Sequence, residues 1–464
     1  MTDYLQGLAP DDLAFLASVV GENQVSIKTA DLDQHARDQS FYEPRRPAAV
    51  VWPGATSEVA AILKHANRRR IPVTPGGAGT SLSGNPIPLY GGIVLDMRRM
   101  DKILSVHAAD FQADVQAGIL YKDMNAALAK HGLFFAPDPG ANASIGGMIA
   151  NNAAGTRTPR YGATKDNVLR LEVVLPSGEI IRAGTRSRKS SSGYDLIHLF
   201  IGSEGTLGVV TETTLKLAPL PENFSAAVAS FPSLENAARV VSSIMGSGLI
   251  PAALEFLDPV TLRAINATGE FALPEQPTLL MEFHSASEAG LEEELAVVKT
   301  ICEEEGCVSF EAGLGRAERD RLWRVRHQTY ETLVRSNPGR SFLIGDVAVP
   351  VSEFPKLVAA SEKAMSARGL QGSLVGHAGD GNLHPLIPYT PGDSESHALA
   401  VAAEKEIIEA AISMEGTATG EHGVGLGKRR YMRLEHGDSL NVMRRLKAAL
   451  DPNDILNPGK LFEP

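Results

Sequence analysis

The sequence predicts an α+β protein with more than one domain. Its 464 residues exceed one ordinary domain, which takes roughly 150 residues. Short apolar runs bounded by Gly and Pro alternate with amphipathic stretches of helical period, which is typical of mixed strands and helices. A Pro-rich stretch at 217–223 (LAPLPEN) interrupts this alternation, which then begins again. We therefore expect a first domain over 1–220, a second over 221–420, and a segment 421–464 that returns to the first domain.

The first domain is predicted to open with a strand, a helix and a second strand. The run AAVVW at 48–52 is the first strand, and Pro53-Gly54 ends it. Thr56 or Ser57 is expected to cap the helix EVAAILKHANRRR, after which IPVTP continues as extended chain. The runs GGIVLDM, ILSVHAA and FQADVQAG are further strands, YKDMNAALAKHG is a helix, and LEVVLPSGEIIRAG is a hairpin. The small residues of 138–162 predict no regular element.

The second domain is predicted to contain two β-α-β-like stretches. The first is the strand SAAVASF, the helix SLENAARVVSSIMGSG and the strand AALEFL. The next begins with the strand TLLMEFHS and the helix SEAGLEEELAVVKTICEEEG. A further helix, SHALAVAAEKEIIEAAISMEG, precedes a glycine-rich segment at 416–427.

Composition excludes several classes of protein. The formal net charge of −11 argues against a nucleic-acid-binding protein, which needs a basic surface. Cys302 and Cys307 fit neither a zinc motif nor a disulfide framework, so reduced thiols are expected. No apolar run reaches the ~18 residues of a transmembrane helix, and the first residues lack the regions of a signal peptide. We expect a cytoplasmic protein, with docking on a membrane surface left open.

Three glycine-rich loops carry the first functional signal. PGGAGTSLSG at 75–84 matches neither the Walker A loop nor the dinucleotide fingerprint, because Leu82 stands where the third glycine should be. Its unobstructed N–H groups can nevertheless hold an anionic diphosphate, although a tight turn explains the loop alone equally well. The loops at 137–164 and 202–212 are similarly poor in apolar bulk. Together the three loops favour a backbone that wraps a large ligand.

The order of these loops resembles the vanillyl-alcohol oxidase family of flavoproteins. The C-terminal motifs VGHAGDGNLH, GEHGVGLGK and DPNDILNPGKLF are similar to those of its FAD-linked D-2-hydroxyacid dehydrogenases. Within that branch the chain most resembles D-lactate dehydrogenases, with glycolate oxidase subunits and D-2-hydroxyglutarate dehydrogenases as close relatives. The resemblance implies a two-part FAD-binding domain of the p-cresol methylhydroxylase type and an α+β substrate, or cap, domain with an antiparallel sheet.

The resemblance also implies which residues bind FAD. Loop 75–81 would hold the diphosphate, and the other two loops would line the ribityl chain, flavin and adenine. The diphosphate loop contains no His, so non-covalent FAD is expected. The implied FAD-binding residues, mostly small residues of the three loops, are Pro75, Gly76, Gly77, Ala78, Gly79, Thr80, Ser81, Pro137, Asp138, Pro139, Gly140, Ser144, Gly146, Gly147, Asn151, Asn152, Gly155, Tyr161, Gly162, Glu204, Gly205, Gly208, Val209 and Asn457.

Two histidines and a glutamate predict a metal site. On a straight strand, residues seven apart would face opposite sides. A four-residue turn at 379–382 instead places His377 directly opposite His384, about 5 Å away. Glu421 can add a carboxylate, and two His with one carboxylate leave coordination positions open for substrate. The resemblance identifies these three residues with the zinc or manganese motif of the family, while Asp380 is expected to form the turn.

The resemblance assigns the remaining chemistry to two residues. His422 would be the general base, a role that suits imidazole near neutral pH. Arg326 would hold the substrate carboxylate with its planar fork, against the alternative of a structural salt bridge. The implied reaction is oxidation of a D-2-hydroxy acid to its 2-oxo acid, with hydride passing to flavin N5. The stretch 343–347 lacks a lysine and Leu386 replaces an asparagine of the hydroxyglutarate enzymes, which favours D-lactate over a diacid.

Several alternatives stay open at this point. D-2-hydroxyglutarate or glycolate dehydrogenases belong to the same family. A metal-dependent hydrolase would explain the histidines but leave the glycine loops without a role, and a flavin-binding subunit without catalysis would leave the histidines without one. The electron acceptor could be oxygen, a quinone, a cytochrome or an electron-transfer flavoprotein. A homodimer is also compatible with the sequence.

Overall fold

The computed structural model describes residues 7–463, apart from the side chains at 318, 325, 327 and 328. The chain divides into two compact units. The first contains the described residues up to Ala154, then Gly162–Leu220, and those from Glu421 onward. The second contains Gly155–Tyr161 and Pro221–Gly420.

Strands occur in both units and are numbered in chain order. They are β1 Val25–Ser26, β2 Ala49–Val51, β3 Val73–Gly76, β4 Ile93–Asp96, β5 Ile103–His107, β6 Gln112–Gln116, β7 Leu133–Phe134, β8 Val168–Val174, β9 Ile180–Gly184, β10 Val209–Lys216, β11 Ala218–Pro219, β12 Asn223–Ser230, β13 Ala253–Leu257, β14 Thr278–Ser285, β15 Ser309–Leu314, β16 Ser341–Ile344, β17 Val347–Ala348, β18 Ser373–His377 and β19 Asn382–Tyr389.

The α-helices are numbered in the same way. They are α1 Pro10–Val20, α2 Thr29–Gln34, α3 Thr56–Arg69, α4 Tyr121–Leu128, α5 Ile145–Asn151, α6 Thr158–Tyr161, α7 Leu196–Phe200, α8 Leu234–Gly246, α9 Pro259–Asn266, α10 Glu288–Glu304, α11 Arg316–Ser336, α12 Phe354–Ser366, α13 Ser394–Ser413, α14 Met432–His436 and α15 Ser439–Leu450. None of the helices in the described residues is long and apolar enough to cross a membrane.

The first unit is built on two larger sheets, and β7 and β11 pair separately as a two-stranded sheet. One has the order β1-β2-β4-β3, in which β2, β4 and β3 run parallel. Helix α3 contributes Val59, Ile62, Leu63 and Ala66 to its core, at the i, i+3, i+4, i+7 spacing of an amphipathic helix. The other sheet, β5-β6-β10-β8-β9, is antiparallel. The predicted strands and the hairpin of this region are therefore confirmed.

The second unit is built on one large antiparallel sheet. Its order is β15-β12-β14-β13-β18-β19-β16, and β17 pairs with β19. Side chains alternate between the faces of β13: Phe256 stacks edge-on against Phe354 of α12, whereas Leu257 belongs to a core with Leu262 of α9 and Leu322 of α11. The α11 side of this sheet is the face on which the candidate site lies.

Two local predictions were wrong. Helix α3 is capped by Ala55 without a side-chain bond, because the Thr56 hydroxyl donates to Glu172 Oε1 at 2.8 Å instead. The supposedly irregular segment 138–162 contains α5 and the single turn α6. Ser144 caps α5 by accepting from the Gly147 N–H, and the helix buries Ile145, Met148 and Ile149 on one side. One N-cap and one short apolar stripe are therefore sufficient to form helix α5, although the segment contains several glycines.

Candidate functional site

The hairpin of β18 and β19, here called the histidine hairpin, brings the two predicted metal-binding histidines together. The predicted register was wrong: His377 pairs with Asn382, and His384 pairs with Val375. The turn is one residue earlier than expected, because Gly381 takes the left-handed position at φ 76° and Asn382 joins the strand. His377 and His384 are then diagonal neighbours on the same face, with ring centroids 5.1 Å apart.

Each of these imidazoles is held through Nδ1. His377 Nδ1 lies 2.6 Å from Glu255 Oε1, and His384 Nδ1 lies 3.2 Å from the Gly345 carbonyl oxygen. An Nδ1–H that donates to oxygen leaves the lone pair of the ring on Nε2, which is the usual arrangement of a metal-binding histidine. One ring nitrogen of each residue lies within 4.8 Å of one in the other. These donors fit a divalent cation such as zinc or manganese.

Glu255 is a site residue that the sequence reasoning missed. It lies on β13, directly opposite His377 in the sheet, and it is fully buried. Its second oxygen, Oε2, accepts from Arg326 Nε of α11 at 2.5 Å. Burial acts to raise the pKa of this carboxyl, but its interactions with His377 and Arg326 outweigh burial and lower the pKa. The only sequence signal was a glutamate within the apolar strand ALEFL.

A second Arg–Glu–His set lies on the same sheet. Glu282 pairs with Ala253 across β14 and β13, so it is the diagonal neighbour of Glu255. Glu282 accepts from Arg319 Nε at 2.9 Å and contacts His284 Nε2 at 2.6 Å. The other ring nitrogen of His284 lies 2.8 Å from the hydroxyl of Tyr161, one of the residues predicted to bind FAD. The two arginines are seven residues, or about two turns, apart on α11.

The glycine loop at 75–81 follows the parallel strand β3 in the first unit. A Cβ on Gly77 would lie 2.2 Å from Ser144 Oγ, so this backbone lies against the first turn of α5 as only glycine can. Within the described part of the chain, the backbone N–H groups of residues 77–80 donate to no protein acceptor. A run of such N–H groups, with only small side chains around them, fits an anionic diphosphate like that of FAD.

Glu204 and Asn457, which are also predicted to bind FAD, form buried hydrogen bonds within the first unit. The Glu204 carboxylate accepts from the N–H groups of Val424 and Gly425, at 2.6 and 2.9 Å, and from Asn85 Nδ2 at 2.6 Å. Asn457 Nδ2 donates to the Glu204 carbonyl at 2.7 Å. Both side chains thus connect distant segments of the first unit, and their binding of FAD stays a prediction.

Further predicted FAD-binding residues differ in their surroundings. Gly146, Gly162, Gly205 and Gly208 lie where a Cβ would meet neighbouring atoms within 3.0 Å, whereas Gly79 and Gly140 face open space. Gly155 and Tyr161 belong to the second unit. Asn151 Nδ2 donates to the carbonyl of His422, the predicted base, at 3.2 Å, and Asn152 ends α5 in the left-handed conformation.

A buried lysine, Lys460, ties the C-terminal segment to the region of the glycine loop. Its Nζ donates to the Ile87 carbonyl oxygen at 2.6 Å and to Asn457 Oδ1 at 3.3 Å. Burial lowers the pKa of Lys460 to about 7, although the nearby Glu204 and Asp38 act in the opposite direction. No local sequence pattern predicted that this lysine is buried.

The lowered pKa of Lys460 predicts a pH dependence of stability. Between about pH 7 and the ordinary lysine pKa of about 10.5, the unfolded chain binds more protons than the folded chain, so stability should rise with pH. Burial of the Lys460 charge lowers the free energy of unfolding by an amount on the order of a few kcal/mol, and this loss is complete below pH 7. We expect Lys460→Met to gain Tm relative to the wild type at pH 7 and to lose this gain by pH 10. A Tm difference that is the same at both pH values would contradict this account.

Comparison with known proteins identifies the family. Residues 220–461 match the family described as FAD linked oxidases, C-terminal domain, and residues 47–184 match the FAD binding domain family. A probable mitochondrial D-lactate dehydrogenase of Danio rerio is 39% identical over 96% of this chain and 90% of its own length. A mitochondrial D-lactate dehydrogenase (cytochrome) of Arabidopsis thaliana is 40% identical over 94% of this chain and 78% of its own. A glycolate oxidase subunit of Bacillus subtilis is 39% identical over 90% and 89%.

Solved structures confirm the predicted fold type. p-Cresol methylhydroxylase with bound substrate superposes with a TM-score of 0.79 over 99% of both chains, at 16% identity. A 4-ethylphenol oxidase of Gulosibacter chungangensis gives the same TM-score at 18% identity, over 99% of this chain and 98% of its own. The chain therefore belongs to the FAD-linked oxidase family, and it is an FAD-dependent enzyme of the D-2-hydroxyacid dehydrogenase type.

Proposed function

We propose that this enzyme oxidises D-lactate to pyruvate at a site formed by the histidine hairpin and Arg326. The observation that carries the proposal is that His377, His384 and Arg326 are connected on one face of one sheet, through Glu255 and the hairpin register. A cation-binding pair and a carboxylate-binding guanidinium are the two elements that a small 2-hydroxy acid requires. The relatives named as D-lactate dehydrogenases support the same substrate.

The surroundings of the histidines favour a monocarboxylate. Leu386 lies two residues after His384 on the same face, and it is buried in an apolar core with Leu257 and Phe342. The neighbouring strand contributes Ile344 to the same core. An apolar lining accepts the methyl group of lactate and offers no partner to the second carboxylate of a diacid.

Glu421 is proposed as the third metal ligand. The two residues before it are fixed to the hairpin side of the second unit: Thr419 Oγ1 donates to Asp346 Oδ2 at 2.7 Å, and Gly420 lies against Asn382. Asp346 in turn accepts from Asn382 Nδ2 at 2.9 Å. Because consecutive Cα atoms are about 3.8 Å apart, this anchoring supports a position for Glu421 close to the hairpin.

Each group has a separate proposed task. Arg326 holds the substrate carboxylate, and His422 removes the hydroxyl proton. FAD would supply the two-electron acceptor, and a zinc or manganese ion held by His377, His384 and Glu421 would lower the pKa of the substrate hydroxyl. For the next acceptor we propose a cytochrome, as the name of the Arabidopsis thaliana relative indicates for that protein; a quinone or an electron-transfer flavoprotein is the alternative. The cytoplasmic location and the homodimer stay predictions.

Glycolate is the second candidate substrate, because the Bacillus subtilis glycolate oxidase subunit is as similar as the D-lactate dehydrogenases. Comparison of kcat/KM for D-lactate, L-lactate, glycolate and D-2-hydroxyglutarate with an artificial electron acceptor distinguishes the candidates. We expect D-lactate to give the highest value, with glycolate about 10- to 200-fold lower because it lacks the methyl group. A higher value for glycolate or hydroxyglutarate would overturn the substrate assignment.

The glycine loop gives a separate prediction about FAD. Gly77→Ala should lose bound FAD, because the new Cβ would overlap Ser144 Oγ and displace the loop. The double variant Gly77→Ala, Ser144→Ala should recover part of the flavin, since the next contact, with Ser144 Cβ, is 3.2 Å. The flavin-to-protein absorbance ratio after desalting measures both effects. Full retention of FAD by Gly77→Ala would show that this backbone contact does not shape the cofactor site.

A further inference from the structure

We propose that Glu255 is a positioning residue whose single carboxylate fixes both the metal-binding nitrogen of His377 and the substrate-binding guanidinium of Arg326. The proposal rests on the function proposed above and extends it to a residue outside the metal and substrate ligands. Glu255 is fully buried on β13, and its two oxygens are used by different partners. It therefore links the proposed metal-binding histidine to the proposed substrate-binding arginine.

The contact with His377 selects the tautomer of the imidazole. Oε1 lies 2.6 Å from Nδ1, and an ionised carboxylate can only accept a hydrogen bond. The proton is therefore held on Nδ1 and the lone pair is held on Nε2. A carboxylate partner also makes the imidazole a stronger ligand, and loss of such a partner typically weakens metal binding by 10- to 100-fold.

The contact with Arg326 fixes the plane of the guanidinium. Oε2 accepts from Nε at 2.5 Å, which uses one edge of the fork and leaves the two terminal nitrogens to face a substrate carboxylate. The side chain of Arg326 is 17% exposed, so a substrate can reach its guanidinium, whereas the side chain of Glu255 is fully buried. Any shift of Glu255 would move both the ligand nitrogen and the fork.

The isosteric variant Glu255→Gln tests this link. Glutamine has one accepting oxygen and one donating NH2, so it can satisfy only one of the two partners. If the NH2 faces His377, the imidazole proton moves to Nε2, where it blocks the metal. If the NH2 faces Arg326, two donors oppose each other and the guanidinium turns away.

The chain offers a matched control in Glu282. This glutamate is buried on the same sheet, accepts from an arginine of the same helix and contacts a histidine, but that histidine is outside the hairpin. Glu282→Gln therefore creates the same chemical mismatch without touching the proposed metal ligand. General destabilisation would weaken metal binding in both variants. Loss of positioning would weaken metal binding in Glu255→Gln alone.

The measurement is titration of chelator-treated, FAD-loaded protein with Mn²⁺, following the electron paramagnetic resonance signal of the free ion. We expect one bound ion in the wild type, a 10- to 100-fold weaker Kd in Glu255→Gln, and a Kd within about threefold of wild type in Glu282→Gln. Unchanged Mn²⁺ affinity in Glu255→Gln would overturn the proposal alone. Failure of the wild type to bind Mn²⁺ or Zn²⁺ would overturn the proposed metal centre, and the proposal with it.

A second variant covers the case in which Glu255→Gln does not fold. Glu255→Asp keeps the charge but shortens the side chain by one methylene, so it should fold and still weaken Mn²⁺ binding measurably. Arg326→Lys should leave the Mn²⁺ affinity within about threefold while raising the Kd for D-lactate, since the lysine replaces only the substrate fork. Equal Mn²⁺ affinity in wild type and Glu255→Asp would again overturn the proposal.

Discussion

Replacement of His422 by Asn is expected to lower turnover of D-lactate by about 10²- to 10⁴-fold, the usual loss when a general base is removed. The imidazole is the group proposed to accept the hydroxyl proton, and asparagine cannot accept it at neutral pH. FAD content should be unchanged, because the backbone at this position is held through its carbonyl, which accepts from Asn151 Nδ2. The measurement is the rate of flavin reduction by D-lactate without oxygen.

A matched control for His422 lies in the same segment of the first unit. His436 also follows a glutamate, Glu435, and its Nε2 lies 3.6 Å from that carboxylate, compared with 4.0 Å for His422 and Glu421. His436→Asn also removes an imidazole next to a glutamate, but this imidazole has no proposed role in catalysis. The variant should therefore keep wild-type turnover. Near-normal flavin reduction in His422→Asn would exclude it as the base.

Replacement of Arg326 by Lys is expected to raise the KM for D-lactate by about 10- to 150-fold. A lysine offers a point charge in place of the planar fork, and each hydrogen bond to a charged group is worth about 1.5–3 kcal/mol. The variant should still fold, because a lysine can reach the Glu255 carboxylate and keep its charge compensated. Bound FAD should be unaffected.

Arg319→Lys is the matched control for Arg326→Lys. Both arginines lie on α11, donate through Nε to a buried glutamate, and have nearly the same side-chain exposure, 18% and 17%. The two variants should therefore lose similar amounts of thermal stability, but only Arg326→Lys should lose substrate affinity. Equal KM values in the two variants would reduce Arg326 to a structural ion pair, the alternative that the sequence left open.

The sequence allowed prediction of the elements whose signals are local. The apolar stripe of α3, the strands β3 to β6 and the hairpin of β8 and β9 follow from periodicity and turn residues. The hairpin of the two histidines was predicted from its glycines, yet its register was wrong. The side chain of Asn382 donates to Asp346 and to the Val347 carbonyl, and these contacts from a distant strand place Asn382 in β19 rather than in the turn.

The parts of the site that the sequence did not reveal depend on contacts between distant segments. Glu255 meets His377 and Arg326 only because β13 pairs with β18 and α11 crosses the same face. A single glutamate in an apolar strand carries no local pattern that points to those partners. The resemblance implies that Glu204 binds FAD, but no local pattern indicated that its carboxylate accepts from the N–H groups of Val424 and Gly425.

D-lactate is the substrate that we propose, and bound FAD would accept its α-hydrogen. The most direct measurement is the visible spectrum of the purified protein without oxygen, before and after addition of D-lactate or L-lactate. We expect flavin bands at ~450 nm, the general absorption of the cofactor, that bleach with D-lactate and persist with L-lactate. Flavin that stays oxidised with D-lactate but bleaches with glycolate or hydroxyglutarate would contradict the substrate assignment, and flavin that no 2-hydroxy acid bleaches would contradict the reaction itself.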